Sequence, residues 1–178
     1  MKNNSIEFQT ISMFQNTFVA LDVETTGLSP IINELIEVSA IKYEGAKKVD
    51  TFSTLIKPKE RIPKKITEIT GITNEMVESS PFVEQVMPKL IQFVSYHTIV
   101  AHNAAFDMSF LQKFSGGKFK NNEVVDTVEL SRQMHPNLQN HKLGTVAKYL
   151  GITEDGFHRA EFDCECCARI YMKYLGVI

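Results

Sequence analysis

The order of the apolar segments constrains this chain more than any other feature. Phe18-Val19-Ala20-Leu21 is a short apolar run of strand formers that leads into Asp22, and Thr25-Thr26-Gly27-Leu28-Ser29-Pro30 then supplies turn residues. Residues 35–43 alternate in part, Phe52, Thr54 and Ile56 alternate cleanly, and together they predict two more strands, antiparallel, with the turn near Glu44-Gly45. Helical patterns begin only after these three strands. Short helices are expected over 63–71 and 73–79, the second capped by Thr73 with Met76 and Val77 facing inward. A longer one follows Pro81, where Phe82, Val83, Val86, Leu90, Phe93 and Val94 recur at helical spacing around Pro88. Thr98-Ile99-Val100-Ala101 reads as a fourth strand, 104–114 as a helix ended by Gly116-Gly117, and Val124-Val125 as a short fifth strand before a helix that starts near Asp126. The last two helices are expected over 143–150 and 160–175, stopped by Gly151 and Gly176. Three strands with no helix between them, then strands alternating with helices, specify an α/β fold built on a mixed sheet.

The 178 residues suffice for one domain, expected over 18–178 after an N-terminal extension at 1–17. No window of 18 apolar residues is present and the first 16 residues lack the apolar run of a secretory signal, so the cytoplasm is the expected location. Cys164, Cys166 and Cys167 are too close for ordinary disulfides and have no partner pair at zinc-finger spacing, so they read as buried small side chains of a helix. A net charge of −2 argues against a protein that coats duplex nucleic acid through many phosphate contacts. A small footprint remains compatible with it, and Lys57, Lys59, Arg61, Lys64 and Lys65 form a local basic run that is equally a solvated loop.

The acids carry the chemistry. Asp22 and Glu24 stand two apart at a strand end, so both side chains face one side with their backbone positions roughly 6.6 Å apart. At an effective dielectric of about 20 their charges repel by about 2.5 kcal/mol, which a cation between them would reverse. Asp-x-Glu alone also fits a solvated strand end; the preceding apolar strand favours a site, because open sheets place their ligands at strand ends. Asp107, in the first turn of the helix after the fourth strand, would on its own be explained by the helix dipole. Asp163 is different, because it shares a helical face with Cys167, Ile170 and Tyr174, and a carboxylate on an apolar face needs a partner that no Lys or Arg at adjacent turns supplies. His158, just before that helix, has a side chain whose ordinary pKa suits taking a proton from water near neutrality. Together Asp22, Glu24, Asp107 and Asp163 would carry −4, which two divalent cations neutralise. Two such ions form a known device for in-line displacement at phosphorus.

Three motifs resemble the DEDDh 3′-to-5′ exonucleases, in the DnaQ-like branch that holds the epsilon subunit of bacterial DNA polymerase III and the exonuclease domain of PolC-type polymerases. They are Leu21-Asp22-Val23-Glu24-Thr25-Thr26-Gly27-Leu28, His102-Asn103-Ala104-Ala105-Phe106-Asp107 and His158-Arg159-Ala160-Glu161-Phe162-Asp163. The resemblance spans about residues 18–175 and implies a ribonuclease H-like fold: a mixed five-stranded sheet flanked by helices on both faces. It implies two Mg²⁺ or Mn²⁺ ions on Asp22, Glu24, Asp107 and Asp163, with His158 as general base and nucleoside 5′-monophosphates as products. The 3′ end of single-stranded or frayed DNA would be the substrate, met by the backbone at Thr25 and Thr26, by Leu28 beside the last bases, and by Thr70, Asn103 and Phe106. Asp126 and His141 match recurrent family positions and are read as a helix cap and a loop residue. A polymerase is the implied partner, yet the chain stops soon after its last helix and lacks the tail by which the epsilon subunit docks. Two other readings keep the sequence: an exoribonuclease for short RNA, and a binding module that does not cut. The second predicts loss of at least one acid or of His158, and all five are present.

Overall fold

The computed structural model describes residues 17–152 and 159–178, so His158 and all but the last residue of the expected N-terminal extension lie outside it. Five strands form one sheet: β1 (Thr17–Thr25), β2 (Leu35–Glu44), β3 (Lys47–Leu55), β4 (Thr98–Ala101) and β5 (Val124–Asp126), in the order β3-β2-β1-β4-β5. β2 is antiparallel to both β1 and β3, whereas β1/β4 and β4/β5 are parallel. The helices are α1 (Lys64–Thr70), α2 (Asn74–Val77), α3 (Val83–Val94), α4 (Ala104–Ser115), α5 (Thr127–Met134), α6 (Leu143–Tyr149) and α7 (Ala160–Tyr174). None of the described helices is long and apolar enough to cross a membrane.

β1 is apolar because it is covered on both sides. Val19, Leu21 and Val23 face the layer of α3 and α4, where they pack with Val86, Leu90, Phe110 and Leu111. Phe18 and Ala20 point the other way, onto Cys164, Cys167, Ala168 and Tyr171 of α7. Phe18 stacks on Tyr43 at 5.2 Å and meets Tyr171 edge-on at 5.0 Å, locking the strand start under the helix. Helices therefore flank the sheet on both faces, and the three cysteines are buried in α7, as expected. The parallel pairing of β1 with β4 ends at Ala20 opposite Val100, so Asp22 and His102 emerge side by side, two residues further along each strand.

Two packing expectations fail. Met76 is exposed, and Phe82 is 44% exposed. α2 is a single turn, and adjacent residues on a helix differ by about 100° in direction, so Val77 alone reaches the cluster of Ile36, Ile62 and Ile72. Phe82 precedes α3 as its N-cap, where its N–H donates to Gln85 Oε1 at 3.0 Å. The helix boundaries otherwise agree with the sequence pattern to within one or two residues, apart from the shorter α2, while β1 runs on past the apolar run to Thr25.

Phe110 is fully buried where α4 meets β1 and α3, with Phe106 at 5.2 Å. Phe110→Ala is expected to destabilise the protein by about 3–5 kcal/mol with an unchanged denaturant slope, measured by urea unfolding; a loss below about 1 kcal/mol would contradict this packing.

Candidate active site

Asp22 and Glu24 project from the end of β1 on the side that α7 covers. Asp163 meets them from the first turn of α7, where its N–H donates to the Arg159 carbonyl at 3.0 Å. One carboxylate oxygen from each of Asp22, Glu24 and Asp163 falls within 4.8 Å of the others. Asp107 comes from the opposite helix layer, one turn into α4, and its Oδ1 accepts the Val23 N–H at 3.1 Å. That bond places the fourth acid directly against the backbone between Asp22 and Glu24.

Burial and mutual repulsion both disfavour ionisation of Asp22, Glu24 and Asp107. Burial, then Asp107, Asp163 and Glu24, hold the Asp22 carboxyl well above the usual carboxylate range. Glu24 is pushed up to about 8, by burial first and then by Asp163, Glu37 and Asp107, while Arg159 pulls the other way. Burial pushes Asp107 to about 8 as well, although its bonds from backbone N–H groups favour the charged form. An all-carboxylate donor set at this spacing suits a hard divalent cation such as Mg²⁺ or Mn²⁺ better than zinc, which prefers nitrogen and sulfur. The residues present fit the group that the resemblance implies.

Behind the cluster stands an acid that the sequence reading did not single out. Glu37 of β2 is paired with Glu24 in the strand register and is 3% exposed. It accepts two bonds from the Arg159 guanidinium, Nη2 at 2.9 Å and Nε at 3.4 Å, and the Ala160 N–H at 3.2 Å. Its sequence signal is a lone acid inside the apolar run Leu35-Ile36-Glu37-Val38.

A cavity of about 570 Å³ opens beside the acids, lined by Asp22, Asp163, His102, Lys142, Leu143, Gly144 and Thr145. Burial lowers the His102 pKa, and its two ring nitrogens meet Thr127 Oγ1 at 2.8 Å and the His141 carbonyl at 2.9 Å. These bonds tie the loop before α6 to the end of β4. His141 adds an Nδ1 bond to Ser131 Oγ at 2.7 Å, in keeping with a structural role. Asp126 does more than cap α5 through the Val128 N–H. It also accepts the N–H groups of Asn103 and Ala104 at 3.0 and 3.1 Å, holding Asn103 in a left-handed conformation at φ 65°. Asn103 is thereby exposed at the start of α4, on a second cavity that shares His102, Lys142 and Leu143 with the first.

The other expected contacts divide. Thr25 and Thr26 are buried at the end of β1, and their hydroxyls build the next loop: Thr25 donates to the Gly27 carbonyl at 2.6 Å and Thr26 accepts the Glu34 N–H at 3.0 Å. That loop holds Leu28 out in solvent at 85% exposure. A Cβ on Gly27 would lie 2.6 Å from the Asn33 side chain, which accepts the Ser29 N–H, so a larger residue there would displace Asn33 from that bond. Phe106 is half-buried and packs on the α3/α4 core. Thr70 is buried, with its hydroxyl donating to the Ile66 carbonyl and accepting the Ile72 N–H, so the side chain is spent on ending α1. His158 lies outside the described residues, next in sequence to Arg159.

The comparisons with known proteins agree with this geometry. The RNase_T family, described as exonuclease, matches residues 19–171. The PolC-type DNA polymerase III of Clostridium perfringens is 45% identical over 159 residues, covering 88% of this chain and 11% of the polymerase, and that of Bacillus subtilis is 37% identical over 90% of this chain. The chain thus spans about a ninth of the length of these relatives. Among solved structures, Exonuclease X in complex with 5′ overhanging duplex DNA superposes with a TM-score of 0.76 at 25% identity, over 89% of this chain and 91% of that one. Escherichia coli Exonuclease I in complex with a dA16 oligonucleotide has a TM-score of 0.77 at 20% identity, over 90% and 40% of the two chains, a likeness of fold. With the mixed sheet, the converging acids and the three motifs all in place, the chain belongs to the exonuclease family, in its DnaQ-like DEDD group.

Proposed function

We propose that this domain is a metal-dependent 3′-to-5′ exonuclease that removes nucleoside 5′-monophosphates from the 3′ end of single-stranded or frayed DNA. The observation that carries this reading is the convergence of Asp22, Glu24 and Asp163 within 4.8 Å, with Asp107 bonded to the backbone between the first two. Such a group repels itself and would be selected against unless cations occupied it. Those four carboxylates would hold two Mg²⁺ or Mn²⁺ ions, which when bound neutralise developing charge on the phosphate and orient the displacement.

The protein's own residues then have separate tasks. Asp22, Glu24 and Asp163 would hold the cations at the end of β1, beside the cavity open to the scissile phosphate. His158 takes a proton from the attacking water; the new bond forms between that oxygen and phosphorus, and the bond from phosphorus to O3′ of the preceding nucleotide breaks. The loop of Thr25 to Leu28 offers backbone groups to the terminal sugar and an exposed apolar side chain to the last base. Asn103 lines the approach from α4. DNA is favoured as substrate because the relatives of highest identity given above are DNA polymerases. A polymerase partner follows from the same likeness, and Exonuclease X and Exonuclease I have been solved with DNA.

The test is end-resolved cleavage of 5′-labelled DNA and RNA strands of one sequence in Mg²⁺ or Mn²⁺. A ladder that shortens from the 3′ end, faster for DNA, is expected; no shortening in either metal overturns the reading, and faster RNA cleavage overturns the DNA preference. Asp22→Ala should abolish turnover without unfolding the protein, and His158→Ala should slow it by about 10²–10⁴-fold. Wild-type rates in either variant would remove that residue from the mechanism.

A second prediction needs no substrate. Glu24 titrates near 8 in the fold against 4.5 in the open chain, so between those values the folded state holds more protons than the unfolded one, and stability falls as pH rises. Asp22 and Asp107 act in the same direction. The metal-free protein should therefore lose Tm between about pH 5 and pH 8. Added Mn²⁺ should restore more of it at the higher pH, where the ligands are ionised. A Tm indifferent to Mn²⁺ at both pH values would show that no cation binds the acids.

A further inference from the structure

Glu37 presents a physical difficulty that the reaction does not resolve. It is a buried acid directly opposite Glu24 across the β1/β2 ladder, and like charges in that relation destabilise a sheet. It raises the cost of ionising both Glu24 and Asp22, and it is not one of the three acids whose oxygens converge. Its hydrogen bonds go elsewhere, to both faces of the Arg159 fork and to the Ala160 N–H. Arg159 is the N-cap of α7, four residues before Asp163 and one after His158.

We propose that Glu37 and Arg159 form a positioning clamp that sets the start of α7, and with it the placement of Asp163, against the metal-binding end of β1. This rests on the exonuclease reading above for the role of Asp163. A bidentate guanidinium–carboxylate pair fixes orientation as well as distance, and the added bond from the Ala160 N–H seats the first helical peptide on the same carboxylate. The clamp therefore grips α7 at the residue whose carbonyl accepts the Asp163 N–H. A second tie exists: Lys48 of β3 reaches Glu165 at 2.5 Å and Glu161 at 3.5 Å. Those partners are 38–50% exposed and of a kind that contributes little, whereas the Glu37 side chain is 4% exposed. The buried acid, rather than the surface lysine, is the part that fixes geometry. Its repulsion of Glu24 is tolerable because the clamp also brings the Arg159 charge to the same place.

The experiment measures Mn²⁺ binding by the paramagnetic resonance of free Mn²⁺, and turnover of the p-nitrophenyl ester of thymidine 5′-monophosphate, which contains one phosphodiester and no strand. Glu37→Gln and Arg159→Ala are compared with wild type well below each variant's Tm. The expected result is a fall of about 10–100-fold in kcat with KM changed by less than about 3-fold, together with weaker Mn²⁺ binding, and an intermediate loss for Arg159→Lys, which keeps the charge but not the fork. Variants that are folded, bind Mn²⁺ as wild type does and keep its kcat overturn the clamp, whatever their loss of Tm. If Glu37→Gln does not fold, Arg159→Ala decides, because its side chain is half exposed and its removal leaves Glu37 bonded to the Ala160 N–H. A wild type that binds Mn²⁺ without cleaving the ester counts against the exonuclease reading, and the Mn²⁺ affinities of the variants still decide the clamp.

Discussion

Repulsion among buried carboxylates is the constraint around which this domain is arranged. Asp22, Glu24, Asp107 and Asp163 sit where two parallel strands end, and burial with mutual repulsion raises the pKa of Asp22, Glu24 and Asp107 there. A fold that only needed to be stable would fill this volume with apolar side chains, since replacing buried charges by well-packed hydrophobic groups is often neutral or favourable. The surrounding structure is consistent with that cost being carried elsewhere. β1 is apolar on both faces up to Leu21, α3 and α4 bury Leu90, Phe110 and Leu111 on one side, and α7 buries Cys164, Cys167 and Tyr171 on the other.

The topology explains why four acids from four stretches of sequence can meet. β1 is the central strand, flanked by antiparallel β2 and parallel β4, so its carboxyl end has a helix layer on each side. Side chains two apart on β1 face α7, and the peptide N–H between them is left for Asp107 of α4 to hold. The site therefore joins both helix layers through a single strand end. Asp126 extends this arrangement outward: by holding the peptides at the start of α4, it fixes the helix from which Asp107 projects.

Much of this was legible in the sequence, for reasons that can be named. The order of strands and helices follows from the change of apolar period from two to 3.6, and Asp163 stood out because a carboxylate on the face of Cys167 and Ile170 has no place in a purely structural helix. The illegible parts are those that depend on cross-chain distance. Nothing in Leu35-Ile36-Glu37-Val38 shows that Glu37 meets Arg159, 122 residues away, and nothing in Asp126 beyond its capping position shows that it reaches Asn103. Met76 was misplaced because a pattern of two apolar neighbours cannot say which one a single helical turn will bury. Nor does the position of Thr70 show that its hydroxyl is bonded within its own helix end.

The two edges of the site are built differently, and the difference bears on how it handles a strand. On the β1 side the loop after Thr25 is closed by its own polar groups, with Asn33 against Gly27 and Thr26 bonded to Glu34, so it can hold Leu28 in water without collapsing onto the core. Neighbouring Ile31 and Ile32 are 83% and 79% exposed in the same loop, and Lys113 of α4 bonds to the Pro30 and Ile31 carbonyls beneath them. Large apolar side chains fixed in solvent contribute nothing to folding; stacked bases are a surface they would suit, since every base has an apolar face. On the opposite edge, Lys142 lines the cavity that reaches Asp22 and Asp163, and Asn103 lines the one next to it. The two edges therefore differ in chemistry, with exposed apolar side chains held up by a polar loop on one and Lys142 beside Asp22 and Asp163 on the other.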